Sequence, residues 1–134
     1  MRWFARKQPK DIWEEAIEWP IGDIEAADRI RAICQSATAC AELIGSRAPN
    51  PNRGTASVEA ERTRERERYG RATRTAMQIA LKVSDDLMRD DAVRRIVDLC
   101  MEADDVETAQ ILYRAIQTGW IREAVLGTYP ALGT

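Results

Sequence analysis

The stretch DIEAADRIRAICQSATACAELI, residues 23–44, places Ile24, Ala27, Ile30, Ile33, Ala37, Cys40 and Ile44 at steps of three and four. Apolar residues at that spacing line one side of an α-helix. Asp23 stands where a helix cap is expected, and Gly45 stands where a helix stops. The middle of the stretch, SATACA, holds only small side chains. Small side chains let a second helix come close, so the spacing predicts a central helix with neighbours packed on it.

Outward from this helix the same period recurs, and no segment alternates as a strand would. On the C-terminal side GSRAPNPNRGT (45–55) is rich in glycine, proline and asparagine, which marks a loop; residues 46–56 are expected to be mobile. A long helix is expected over 57–88, with Tyr69, Ala72, Ala76, Ile79, Val83 and Leu87 on its buried side. Its first half, VEAERTRERERY (58–69), has almost nothing apolar to bury. Glu59–Arg62, Glu61–Arg64, Glu65–Arg68 and Glu67–Arg71 pair at three or four, and each adds only about 0.2–0.5 kcal/mol. The segment is therefore expected to be a solvated helical extension past the core. On the N-terminal side Asp11 and Glu14 have capping-box spacing, and Pro20 ends a short helix over 11–19.

Beyond residue 90 three short helices are expected. One spans about 91–102. Another begins at Asp104 with Glu107 as capping partner and ends at Gly119, and WIREAVL supplies the last. The run DAVRRIVDLCMEADDVETAQILYRAIQTGW (91–120) resembles one unit of a helical-hairpin repeat of the tetratricopeptide or armadillo kind. The whole reads as an all-α single domain of five or six helices. It divides into an N-terminal helical hairpin (1–45), the loop, and a charged helix followed by short hairpins (57–127).

Composition removes several functions. There is no histidine among the 134 residues, so Ser-His-Asp and Cys-His catalysis are excluded. The seven glycines are scattered and form no phosphate loop. Cys34, Cys40 and Cys100 lack disulfide or zinc spacing and read as buried thiols of a reducing compartment. No apolar run reaches membrane-spanning length, and the basic start MRWFARKQPK has no signal-peptide core. A cytoplasmic protein without metal or cofactor is the expectation. The net charge of −2 is uneven: residues 1–10 carry four bases and no acid, whereas residues 76–134 carry ten acids and six bases.

Two carboxylate groups are candidates for metal ligation. Asp85, Asp86, Asp90 and Asp91 resemble the aspartate-rich motif of isoprenoid synthases. As residues, however, Asp90 and Asp91 sit where one helix is expected to give way to the next, and capping is the favoured reading. Glu15, Glu18, Glu25 and Asp28 resemble the metal motif of all-α nucleotide pyrophosphohydrolases, which implies Mg²⁺ held over a phosphate chain. Here too the plainer reading, a polar helix face, is preferred.

For function, the expectation is a non-enzymatic helical module that binds another protein as adaptor, inhibitor or regulator, with homodimerisation possible. Arg62, Arg64, Arg68, Tyr69 and Arg71, with Trp3, Trp13, Trp19 and Trp120, are the expected contact residues, since tryptophan and arginine are enriched at interfaces. Nucleic-acid binding through the arginines of residues 62–74 is the first alternative. It is disfavoured because the four glutamates of the stretch, Glu59, Glu61, Glu65 and Glu67, would repel phosphates. The pyrophosphohydrolase-like enzyme is the second.

Overall fold

A computed structural model describes residues 10–45 and 55–134. Among these described residues five helices follow in order: α1 (Asp23–Gly45), α2 (Thr55–Ala80), α3 (Asp86–Glu102), α4 (Val106–Ala115) and α5 (Gly119–Thr128). A 3₁₀ turn, Ile12–Glu14, precedes them and another, Pro130–Gly133, follows. There is no strand among the described residues, so the all-α class read from the periodicity holds. The loop expected at 46–56 lies, up to residue 54, outside the described residues, as does Trp3.

The small-residue stretch does what its composition implies. α1 packs against both α2 and α3, with Ala26, Ile30, Ile33, Ala37, Cys40 and Ala41 buried. α2 supplies Ala72, Ala76, Ile79 and Ala80, and α3 supplies Val93, Ile96, Val97 and Cys100 to the same core. At its last residue α1 comes so close to the end of α3 that a Cβ on Gly45 would overlap the Glu102 carbonyl oxygen. Ile24 departs from the expected stripe and is 74% exposed.

Several boundaries fall elsewhere than the sequence suggests, each for a tertiary reason. Residues 11–19 form only the 3₁₀ turn, and Asp11 makes no cap hydrogen bond. Its carboxylate is taken by Arg68 instead. The expected helix over 57–88 is two helices with a break at 81–85. Here the Asp23 carboxylate accepts hydrogen bonds from the backbone N–H groups of Ser84 and Asp85, at 2.8 and 3.0 Å. Asp23 thus ties the break to α1 rather than capping its own helix. Asp85 is the cap of α3, accepting from Met88 N–H.

The α3–α4 turn is shifted by one residue. Asp105, not Asp104, caps α4 by accepting from Thr108 N–H. Asp104 has φ 60°, and the N–H groups of Asp105 and Asp104 return to the Cys100 and Met101 carbonyls. That is a Schellman ending with aspartate in the left-handed position usually held by glycine. Gly119 begins α5 rather than ending α4, because α4 stops at Ala115.

The charged stretch is helical and is held in place. Val58, Glu61, Arg62, Glu65 and Arg68 are half-buried at helical spacing, continuing with polar side chains the line that Tyr69 and Ala72 complete with apolar ones. The expectation of an extension free of the core is thereby corrected. Arg68 is the anchor. Its Nε and Nη2 donate to the two Asp11 oxygens at 3.1 and 2.6 Å, and its Nη1 donates to Glu65 at 3.1 Å. Its guanidinium also lies 5.6 Å from the Trp13 ring centre, over an indole that is only 4% exposed. The bidentate pair is strong in geometry but partly exposed, so solvent discounts it. Together with the cation–π contact, Arg68→Ala is expected to cost about 1–2 kcal/mol. Thermal unfolding by circular dichroism checks this; an unchanged melting temperature would mean that the 3₁₀ turn is held by Trp13 alone.

Candidate functional site

Of the tryptophans within the described residues, Trp13 is buried while Trp19 and Trp120 remain exposed. Trp120, 59% exposed, forms one wall of a groove of about 300 Å³ lined also by Ala27, Arg31, Leu87, Met88 and Asp91. Three helices meet there: α1 gives Ala27 and Arg31, the first turns of α3 give Leu87, Met88 and Asp91, and α5 gives Trp120. Leu87 is 48% exposed, against its expected place on a buried stripe. Leu87 and Trp120 are two large apolar side chains left open beside each other. An apolar surface of this sort, rimmed by charge, marks an interaction site more often than an isolated exposed leucine does.

Three aspartates build the groove. Asp23, from α1, holds the 84–85 backbone and so fixes where α3 starts beside Ala27. Asp85 then caps α3 and orders the turn carrying Leu87 and Met88. Asp90 is the third and is only 1% exposed. Its Oδ2 accepts from Gln117 N–H at 3.1 Å, Thr118 N–H at 2.8 Å and the Thr118 hydroxyl at 2.6 Å. Thr118 is the residue before α5, so Asp90 sets the direction in which α5 leaves and puts Trp120 next to Leu87. Burial alone pushes the Asp90 carboxyl up. The hydrogen bonds from Thr118 and Gln117, helped by Arg89, outweigh that and hold it below the ordinary carboxylate range. Asp90 therefore sits inside α3 as a buried acceptor, correcting its reading as a residue at a helix junction.

The other expected residues are dispersed. Arg68 is engaged with Asp11, Tyr69 is buried with its hydroxyl donating to Asp105 at 2.7 Å, and Arg62 is half-buried. Arg64 is exposed, and Arg71, also exposed, stands 4.0 Å from Glu14. The six arginines of residues 62–74 thus do not form one basic face. Among the described residues no three Asp, Glu or Cys side chains come together as a metal-binding group. Glu15, Glu18, Glu25 and Asp28 do not assemble as the pyrophosphohydrolase resemblance implies, and Asp85, Asp86, Asp90 and Asp91 do not assemble as the isoprenoid-synthase resemblance implies.

The cysteines are all free thiols. Burial pushes Cys34 and Cys40 up to about 12 and Cys100 up to about 11, so each stays protonated at neutral pH and is a poor nucleophile. No helix among the described residues is long and apolar enough to cross a membrane.

Comparison with protein-family models, curated proteins and solved structures finds no match to this chain.

Proposed function

We propose that the protein is a non-enzymatic, cytoplasmic binding module whose Trp120 groove receives a basic amphipathic helix of a partner protein. The observation that carries this is the open Trp120–Leu87 pair at the meeting of three helices. Charge selects the partner. Glu25 and Glu123 are exposed acids beside the groove residues on α1 and α5, while Asp28, Asp86 and Asp91 are paired with Arg31, with Arg89, and with Arg94 and Arg95 respectively, so the net acidic charge of the rim comes from Glu25 and Glu123. An apolar floor within an acidic rim matches a helix with apolar side chains on one face and lysine or arginine beside them. By occupying such a helix the protein would act as inhibitor, adaptor or regulator, since it would compete with whatever else that basic segment binds.

A synthetic amphipathic leucine–lysine helix is the probe. Trp120→Ala removes the large aromatic anchor and is expected to weaken binding roughly tenfold or more. Exposed Trp120 contributes little to the core, so the melting temperature is expected to stay nearly unchanged. Equal affinity of wild type and variant would overturn the proposal. Sedimentation of the protein alone provides a second check. A concentration-dependent dimer abolished by Trp120→Ala would put a second copy of the chain in the groove, and would overturn the heterologous partner.

A further inference from the structure

We propose a second docking site, the cleft between α2 and α4, for an acidic amphipathic helix of a partner protein. This goes beyond the Trp120 groove and does not depend on it. The cleft, about 420 Å³, is lined by Tyr69, Gly70, Thr73, Arg74, Met77, Gln78 and Leu81 from α2 and its end, and by Asp105 and Thr108 from α4. Positions 70, 73, 74, 77, 78 and 81 are one helical face. From Tyr69 to Leu81 that face runs about 18 Å at 1.5 Å per residue, or three turns. The core uses a different side of α2, through Ala72, Ala76, Ile79 and Ala80, where it meets α1 and α3. The cleft face therefore belongs to an otherwise packed helix and, among the described residues, has no helix seated on it.

Its chemistry specifies an occupant. Met77 is half-buried in the floor and Leu81 is 72% exposed at one end, which rewards apolar side chains at helical spacing. Arg74 lines the cleft, Arg71 stands exposed three residues before it on α2, and exposed Lys82 follows Leu81 just past the end of α2. Arg74 and Lys82 form no ion pair with a carboxylate among the described residues, and Arg71 has only the 4.0 Å approach of Glu14. That wall is basic and available to carboxylates. The opposite wall holds Asp105, whose carboxylate already accepts from the Tyr69 hydroxyl and Thr108 N–H. A continuous polyanion meets repulsion there, whereas a helix with acids on one flank only does not. The apolar floor and the one-sided charge favour an acidic peptide helix over nucleic acid.

The test uses the full chain and a fluorescein-labelled leucine–glutamate amphipathic helix, followed by anisotropy. Saturable binding is expected, weakening as salt rises. Leu81→Glu is expected to reduce affinity roughly tenfold or more, since it replaces an apolar anchor by a like charge. Arg74→Glu is expected to reduce it roughly fivefold, and Trp120→Ala to leave it unchanged. Both substituted cleft side chains are exposed, so circular dichroism is expected to match the wild type. Absence of saturable binding, or affinities indifferent to both cleft variants, would overturn the inference. So would a single-stranded oligouridine that binds more tightly than the peptide and is lost with the same variants. Failure of the Trp120 reading appears instead with the lysine probe and the Trp120 variant, so the two are told apart.

Discussion

Asp90→Ala is expected to destabilise the protein by about 3 kcal/mol, the largest effect of any single polar substitution considered. Three donors converge on one buried oxygen: two backbone N–H groups and a hydroxyl. Alanine would leave those donors without their acceptor, and hydrogen bonds to a charged group are the strong ones. The loss would also free the start of α5, so binding of the lysine probe at Trp120 is expected to fall although Asp90 does not line the groove. Asp90→Asn keeps the shape and one acceptor and is expected to lose about half as much. Acid supplies an independent check. The Asp90 carboxyl titrates below its ordinary range in the folded protein, so its contribution is complete at neutral pH and is lost as pH falls through the ordinary carboxylate range and below it. Wild-type stability measured by urea unfolding should therefore drop toward that of Asp90→Asn as pH approaches 3. Parallel curves for the two proteins at all pH values would contradict the role given to the carboxylate.

Gly45→Ala sets two effects against each other. Helix propensity favours alanine over glycine by up to about 1 kcal/mol, less at a helix end. Against this, the added Cβ would meet the Glu102 carbonyl oxygen, which belongs to the backbone of α3 and cannot swing aside. Overpacking of a rigid contact typically costs 1–3 kcal/mol, so the clash wins and a net loss of about 2 kcal/mol is expected. Gly70→Ala is the matched control. A Cβ there would lie 3.6 Å from the tip of the Arg74 side chain, an ordinary contact, within an uninterrupted helix. It is expected to gain about 0.5–1 kcal/mol. Opposite signs in thermal unfolding support the close α1–α3 approach; a gain in both would mean that the two helix ends part easily.

What the sequence conveyed and what it did not divides along physical lines. The buried stripe from Tyr69 in α2 to Val83 just past its end was legible because apolar period alone identifies it. The all-α class followed for the same reason. The half-buried line through Glu61, Glu65 and Arg68 was not legible, since charged side chains at the same spacing carry no apolar signal. Asp11, Asp23 and Asp90 look like ordinary caps in sequence. Each is instead claimed by a partner far along the chain: Arg68, Ser84 with Asp85, and Thr118 with Gln117 respectively. No local pattern encodes such a partner. Trp13 and Trp120 illustrate the same limit. Both stand in short amphipathic segments, yet Arg68 lies over the buried Trp13, while Ile121 turns inward and leaves Trp120 outside. The groove depends on three helices whose meeting only the tertiary structure reveals.

The most direct measurement is an amide and indole chemical-shift titration of the isotope-labelled chain with the leucine–lysine helix. The changes expected are at Ala27, Arg31, Leu87, Met88, Asp91 and the Trp120 indole, with the α2–α4 cleft unmoved. Binding that shifts other surfaces and leaves these six residues unchanged would contradict the groove as the site of function.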